Sequence, residues 1–353
     1  MYVQAGNLEV IVKDDVLKSL RENPGRFVSG ESLSERLGVS RTAVWKYIRE
    51  LKDRGYIIES SSKKGYKLDD SIELFNEFEI RYNLSTTILG GKIHYFDTLD
   101  STSSYAKRIA AEGAPDGTVV IADVQTAGRG RLGRAWESAG GKGIWMSVVL
   151  RPSISPEEIQ VITLAASVAV VNAIGSVTGI RTGIKWPNDI VIDGRKVCGI
   201  LTEMSSETDK INFLVIGIGI NVNQEATDFP EELRSSAVSL GMLVDSDPGR
   251  IPCEKADKFL SRKELVWKLL LELEGMYLEI NNGKTGSIIE RWKQHSITIG
   301  KTVRITHRGS EYTGTAADIT SDGKLVVKCE DGTVREVSVS YTHLRAHETG
   351  RNL

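Results

Sequence analysis

The chain is poor in the residues that staple or metallate a small fold. Its 353 residues include three cysteines, Cys198, Cys253 and Cys329, scattered and odd in number. No pair has metal-ligand spacing and no disulfide framework follows, which fits a reducing cytoplasm. The five histidines form no HxxxH pair. No apolar run approaches the roughly 20 residues of a membrane span, and the N-terminus lacks a basic-then-apolar signal pattern. No membrane partner is expected. Neither sign of charge is in excess: 45 Lys and Arg against 47 Asp and Glu leave −2. That total argues for neither nucleic acid nor membrane, although totals hide local asymmetry.

What is present is a soluble, globular composition, 40% hydrophobic and 26% charged. The length exceeds one ordinary core, so two or three domains are expected.

Residues 14–68 read as a small helical domain closed by a hairpin. Val16, Leu17 and Leu20 face one way before Asn23-Pro24-Gly25. Leu33 and Leu37 mark a second short helix. Gly38 turns the chain, Ser40 is placed to cap, and Val44, Ile48 and Leu51 stripe a third helix. This is helix-turn-helix order. Tyr56–Glu59 and Gly65–Leu68 then form two strands of a wing. From Arg41 to Lys67 eight basic residues stand against three acids, a local excess suited to phosphates. Ser40, Arg41, Thr42, Trp45 and Lys46 on the third helix, with Lys63 and Lys64 on the wing, are the candidate DNA contacts. Residues 69–91 are expected to be a linker helix striped by Leu74, Phe78 and Tyr82.

Beyond Gly90-Gly91 strands and helices alternate. His94-Tyr95-Phe96 runs as a strand into Asp100-Ser101-Thr102-Ser103-Ser104, and a helix follows from Tyr105 to Glu112. Hydroxyls at such a turn are either helix caps or ligand contacts. Val119–Ala122 is a buried strand leading through Gln125 to Gly128-Arg129-Gly130-Arg131-Leu132-Gly133-Arg134. Those glycines satisfy GxGxxG, but no helix follows them, arginines occupy the positions where a pyrophosphate should meet backbone, and no suitable acid lies about 20 residues on. A dinucleotide fold is excluded. The segment reads instead as an anion clamp, unordered when unengaged, whose guanidinium forks each make charge-assisted bonds of about 1.5–3 kcal/mol.

Lys185-Trp186-Pro187-Asn188-Asp189 puts a cation beside an amide and a carboxylate, where Pro187 forbids a helix. A carboxylate attacking the α-phosphate of ATP is an anion meeting an anion, so cations must neutralise both. Lys185 and Arg131 suit that task. Asn188 and Asp189 carry hard oxygens of the kind that orient Mg²⁺. Asp189 is also the candidate for steering a second reactant that must give up a proton. Ile211–Ile220 is an alternating strand that ends in Gly217-Ile218-Gly219-Ile220-Asn221, where glycines permit close ligand approach.

Motifs, order and surroundings resemble biotin protein ligases of the bifunctional type that carry their own repressor domain, over about residues 14–340. The resemblance implies a multidomain α+β chain. It would comprise a winged helix-turn-helix domain (1–68), a linker (69–91), a class II synthetase-like α/β catalytic domain (92–296) and an SH3-like C-terminal β-barrel (297–340). It implies ATP-dependent formation of biotinyl-5′-AMP, transfer of biotin to a lysine of a carboxyl-carrier protein, and use of the adenylate as corepressor by a homodimer on operator DNA. Biotin contacts would come from Ser101, Thr102, Ser103, Gln125, Arg129, Gly130, Arg131 and Lys185, with Ser103 standing where the family has Asn. Nucleotide contacts would come from Arg131, Arg134, Trp136, Asn188 and Asn221, with Mg²⁺ at Asn188 and Asp189. Residues 341–353 are unlike the family ending and read as a foreign tail. Two rivals remain at this stage: a lipoate or octanoate ligase of the same fold, and a transcription factor that senses a ligand without catalysis.

Overall fold

The computed structural model describes residues 14–69, 74–207, 210–246, 259–307, 310–338 and 342–346. Cys253 and part of the terminal segment lie outside them. The chain forms two compact units, divided between Asn83 and Leu84.

In the first unit α1 (residues 14–21), α2 (Gly30–Leu37) and α3 (Arg41–Asp53) bury the expected stripe: Val16, Leu17, Leu33, Val44, Ile48 and Leu51. Gly38, at φ 63°, makes the turn, and its N–H donates to the Glu35 carbonyl. Ser40 caps α3 by accepting from the Ala43 N–H at 3.2 Å. β1 (Ile57–Ser61) and β2 (Gly65–Asp69) pair antiparallel as the wing. The expected linker helix departs from its reading. α4 (Glu77–Tyr82) buries Phe78 in this same core, with Leu74 and Tyr82 packed against it. Glu79 is wholly buried, and it accepts from Arg21 at 2.5 Å and from the Tyr56 hydroxyl at 2.7 Å. A buried carboxylate is tolerable only with such partners, so α4 is an integral part of the unit.

The second unit is built on a seven-stranded sheet of order β3-β4-β5-β9-β8-β7-β6. Its strands are β3 (Ile93–Leu99), β4 (Val119–Gln125), β5 (Gly143–Leu150), β6 (Gly183–Lys185), β7 (Asp189–Ile192), β8 (Arg195–Glu207) and β9 (Lys210–Asn221). Only β3 and β4 run parallel. Every residue of β5 is buried, as expected of a strand covered on both faces. α5 (Thr102–Ala111) packs Ala106 and Ile109 on Val120, Val149, Phe213 and Val215. The opposite face carries α6 (Ile159–Thr178), whose Thr163 hydroxyl lies 2.8 Å from that of Thr202 on β8.

α6 corrects one sequence expectation. With no charged residue, it is long and apolar enough by length and composition to cross a membrane, but most of it is buried inside this unit. α8 (Arg262–Asn281) and α9 (Thr285–His295) pack against it together with the sheet, so its apolarity is that of a covered core helix. α7 (Leu240–Ser246) follows β9. Glu274 of α8 grips residues 87–89 by accepting their three backbone N–H groups at 2.6–2.8 Å. The end of the expected linker, residues 84–91, thereby belongs to the second unit.

The C-terminal strands β10 (Thr302–His307), β11 (Ser310–Ile319), β12 (Leu325–Cys329), β13 (Val334–Val337) and β14 (Thr342–Ala346) form an antiparallel sheet of order β13-β12-β11-β10-β14. The stretch read as a foreign, unpatterned tail thus supplies an edge strand through backbone pairing with β10.

Candidate active site

The odd-numbered residues of β9 build the site. Phe213 and Val215 are bulky and pack on α5, but Gly217 and Gly219 continue the same face. A Cβ at Gly217 would stand 2.5 Å from the Ser103 hydroxyl, and one at Gly219 or at Gly199 on β8 would stand 2.7 Å from the Trp136 indole. Three glycines therefore open the sheet surface where neighbouring strands are filled. The result is a cavity of about 540 Å³.

One end of the cavity is polar and uncharged. Thr102, in the first turn of α5, donates both its backbone N–H (2.8 Å) and its hydroxyl (3.0 Å) to Gln125. Gln125 in turn donates to Ser138 at 2.9 Å. Ser147 donates to Thr102 at 2.9 Å, and Ser103 lies 3.1 Å from Ser147. The Ser101 hydroxyl is spent otherwise: it caps α5 through the Ser104 N–H at 3.3 Å, and Ser101 does not line the cavity.

The other wall is cationic. Residues 128–136, expected to be unordered, form a defined turn. Gly130 N–H donates to the Arg134 carbonyl at 2.7 Å, Trp136 N–H donates to Gly128 at 2.9 Å, and Arg131–Gly133 make one turn of 3₁₀ helix. Arg131 donates to the Asn188 amide oxygen at 3.0 Å. Burial pulls the Arg131 guanidinium below its ordinary pKa; Asp189 opposes that and Arg134 adds to it. An arriving anion would relieve this strain on the charge. Arg129 and Arg134 are exposed at the rim, Arg129 lying 4.0 Å from Glu203.

Lys185 ends β6 opposite Asp189 on β7, lines the cavity, and among the described residues has no ion pair or hydrogen bond. The cis Trp186-Pro187 link follows it, with Trp186 N–H donating to Thr298 at 2.9 Å. Asp189 is paired at 2.6 Å with Lys196, whose ammonium also stands 5.1 Å over the Trp136 ring. Sequence reading passed over Lys196. Asn188 donates to the Ile200 carbonyl at 2.7 Å, and Asn221 to that of Val238 at 3.2 Å. Among the described residues no group of three His, Cys, Asp or Glu could hold a metal ion. With Arg131 on the Asn188 oxygen and Lys196 on the Asp189 carboxylate, these two residues do not fit a protein-held Mg²⁺ site.

In the first unit Arg41, Thr42, Trp45, Lys46 and Arg49 are exposed on α3, and Lys63 and Lys64 on the wing. Arg49 stands 5.8 Å from the Trp45 ring, Trp45 being 54% exposed. Ser40, although exposed, uses its hydroxyl as the α3 cap.

Comparison with known proteins agrees along the chain. Residues 13–67 match an HTH domain, 95–221 the biotin/lipoate A/B protein ligase family, and 298–340 the biotin protein ligase C terminal domain. The chain is 40% identical over 321 residues to the bifunctional ligase/repressor BirA of Bacillus subtilis, covering 91% of this chain and 95% of that one. It is 34% identical over 251 residues to the biotin–[acetyl-CoA-carboxylase] ligase of Mycobacterium tuberculosis, covering 69% and 86%. The solved biotin protein ligase from Aquifex aeolicus in complex with biotin and ATP superposes with a TM-score of 0.60 at 27% identity, covering 73% of this chain and all of that one.

Proposed function

The chain belongs to the bifunctional biotin ligase and repressor family, and we propose that its cavity joins biotin to AMP and passes biotin on to a lysine of a carboxyl-carrier protein. The observation that carries this reading is the meeting, in one cavity, of a neutral hydrogen-bonding end, two cations and an indole. The Thr102–Gln125 end suits the head group of biotin, and the acyl tail then points its carboxylate at Lys185 and Arg131. These two cations screen the repulsion between carboxylate and α-phosphate as the new C–O–P bond forms and pyrophosphate leaves. Trp136, with Lys196 above it, takes the adenine, and Asn221 lies at the same end. Arg134 and Arg129 close the rim over the phosphates. ATP brings its own Mg²⁺ on its phosphates as part of the substrate; Asn188 and Asp189 serve by holding Arg131 and Lys196.

In the second step an acceptor amine attacks the acyl carbon and AMP departs. Asp189, carrying the negative charge nearest Lys196, is the group to steer that amine. The basic face of α3 and the wing binds a paired operator, and the adenylate acts as corepressor of a homodimer. The buried thiols Cys198 and Cys329, free among the described residues, fit a cytoplasmic protein. The test is mass spectrometry of the purified chain given biotin, Mg²⁺ and ATP. Biotinyl-adenylate is expected; its absence, or equal turnover of lipoate, overturns the assignment.

A further inference from the structure

Among the described residues of the first unit, Glu79 is the one acid that is wholly buried, and nothing in the ligase chemistry uses it. Arg21 of α1 reaches it at 2.5 Å, with its guanidinium carbon 4.8 Å from the Tyr82 ring centroid and 5.9 Å from that of Phe78. The same carboxylate oxygen accepts from the Tyr56 hydroxyl at 2.7 Å. Asn76 donates to the Tyr56 oxygen at 3.4 Å and caps α4 by accepting the Glu79 N–H at 3.0 Å. Burial, and after it the Glu79 charge, pushes the Tyr56 pKa up, so the hydroxyl stays a donor.

Stability alone does not account for such a charge, since replacing a buried ion pair by hydrocarbon is often neutral or stabilising. Its directional bonds do something hydrocarbon cannot. Tyr56 joins α3 to the wing: its N–H donates to the Leu51 carbonyl at 3.1 Å, and β1 begins at the next residue. One carboxylate therefore ties together α1, the root of the wing and α4. Strand β2 has a backbone tie of its own, since Val28 and Tyr66 exchange N–H···O bonds of 2.8 and 2.9 Å. Outside the pairing of the two strands, β1 has the buried Ile58 and an exposed Lys52–Ser60 bond of 2.9 Å, so its angle is set at Tyr56. Five residues at about 3.4 Å each put the tip of β1 about 17 Å from that root, and a tilt of about 10° there moves the tip by about 3 Å. A shift of that size takes a lysine off a phosphate.

We propose that Glu79 and Tyr56 are positioning residues for operator binding: the carboxylate, aimed by Arg21, holds the root of the wing so that Lys63 and Lys64 meet the DNA backbone while α3 lies in the groove. This rests on the operator-binding reading above and names what sets the wing for it.

The test is a titration of the full chain, with biotin and ATP, against a biotin-gene operator duplex at several salt concentrations. Tyr56→Phe keeps the ring and leaves Glu79 its arginine, so only the tie to the wing is cut. Operator Kd is expected to rise roughly tenfold, with the salt slope lower by about one to two, the loss of one or two phosphate contacts. Biotinyl-adenylate formation should be unchanged. Removing both lysines from the Tyr56→Phe chain should cost almost nothing further, because a displaced wing no longer uses them. Replacing Arg21 and Glu79 together by Met strands no charge; that chain should melt no lower than the parent and bind the operator as poorly as Tyr56→Phe. Unchanged operator affinity in Tyr56→Phe, lysine losses that simply add to it, or full affinity in the double Met variant would each overturn the proposal. A parent chain that does not bind the operator removes the repressor reading itself, whereas a parent that binds beside unaffected variants removes only the role of Glu79 and Tyr56.

Discussion

Asp189 and Lys196 lie 2.6 Å apart on adjacent strands, and the same ammonium stands 5.1 Å over the Trp136 ring. A carboxylate that precedes a hairpin therefore aims a cation that follows it. Asp189→Ala should leave Lys196 unaimed, and both that variant and Lys196→Ala should lose adenylate formation, by about 10²–10³ in kcat/KM if Lys196 acts as a preorganised donor. Stopped-flow measurement of pyrophosphate release checks this. Equal rates in parent and variants would return the pair to a surface ion pair worth about 0–1 kcal/mol.

Lys185 is the half-buried cation of the cavity that no described residue pairs. Lys185→Ala should abolish detectable biotinyl-adenylate, a loss of at least about 10² in rate, and leave the unfolding temperature unchanged or higher, since an unpaired cation is removed. Adenylate yield by mass spectrometry and a thermal melt on one sample separate the two effects.

Thr298 accepts the Trp186 N–H, and Trp186 is 1% exposed. Thr298→Val would leave that donor buried without a partner, at a cost of about 1–3 kcal/mol. The expected outcome is a lower unfolding temperature together with a lower kcat, because Trp186 follows Lys185 directly in the chain. Chemical denaturation and single-turnover adenylation measure the two.

On the DNA face, each phosphate contact adds about 0.9 to the slope of log K against log salt. Changing Lys63 and Lys64 to Ala should weaken operator binding evenly across sequences and lower that slope by about one to two. Trp45→Ala should alter sequence preference instead. Gel shifts of a biotin-gene operator at several salt concentrations read both, and stronger shifts are expected when biotin and ATP are added together.

Burial works against the charge of Glu274, yet the N–H groups of Thr87, Leu89 and Ile88 outweigh it and hold the carboxyl below its ordinary value. A folded value below the unfolded one means stability that is present above about pH 4.3 and is lost as the pH falls through the lowered folded value. Asp14 in the first unit has the opposite sign. Burial, opposed by Arg81, pushes it up to about 6, so that unit should gain stability as the pH falls from 6 toward 4. Thermal melts of the full chain from pH 7 to 3 should show the two trends. Glu274→Gln should remove the acid-side loss and Asp14→Asn the gain.

Local rules made much of the chain legible. The stripe from Val16 to Leu51, the cap at Ser40 and the turn at Gly38 all stand where spacing placed them, because each depends on residues within one or two helical turns. The Ser101–Ser103 hydroxyls were legible as either caps or contacts, and the structure divides them: Ser101 caps, while Thr102 and Ser103 line the cavity. Ser147 was overlooked, although a hydroxyl inside the apolar run Ile144–Leu150 was the available signal. Lys196 had no local signal. Its place beside Asp189 follows from the β7–β8 register, which shifts between Ile190 and Val191.

Sequence by itself narrowed the chemistry to a cationic site for activating an acid, since arginines between glycines and a lysine before Trp-Pro-Asn-Asp are rare combinations whose charges and backbone limits belong to the residues themselves. It also settled the order of the modules. Tertiary structure alone decided which groups are spent holding others and which line the cavity. Those outcomes depend on strand register, on the three glycines that thin the sheet, and on partners far off in the chain, as Thr298 is 112 positions from Trp186. A linear pattern cannot encode such pairings, because hydrogen bonds and burial are settled by distance in space.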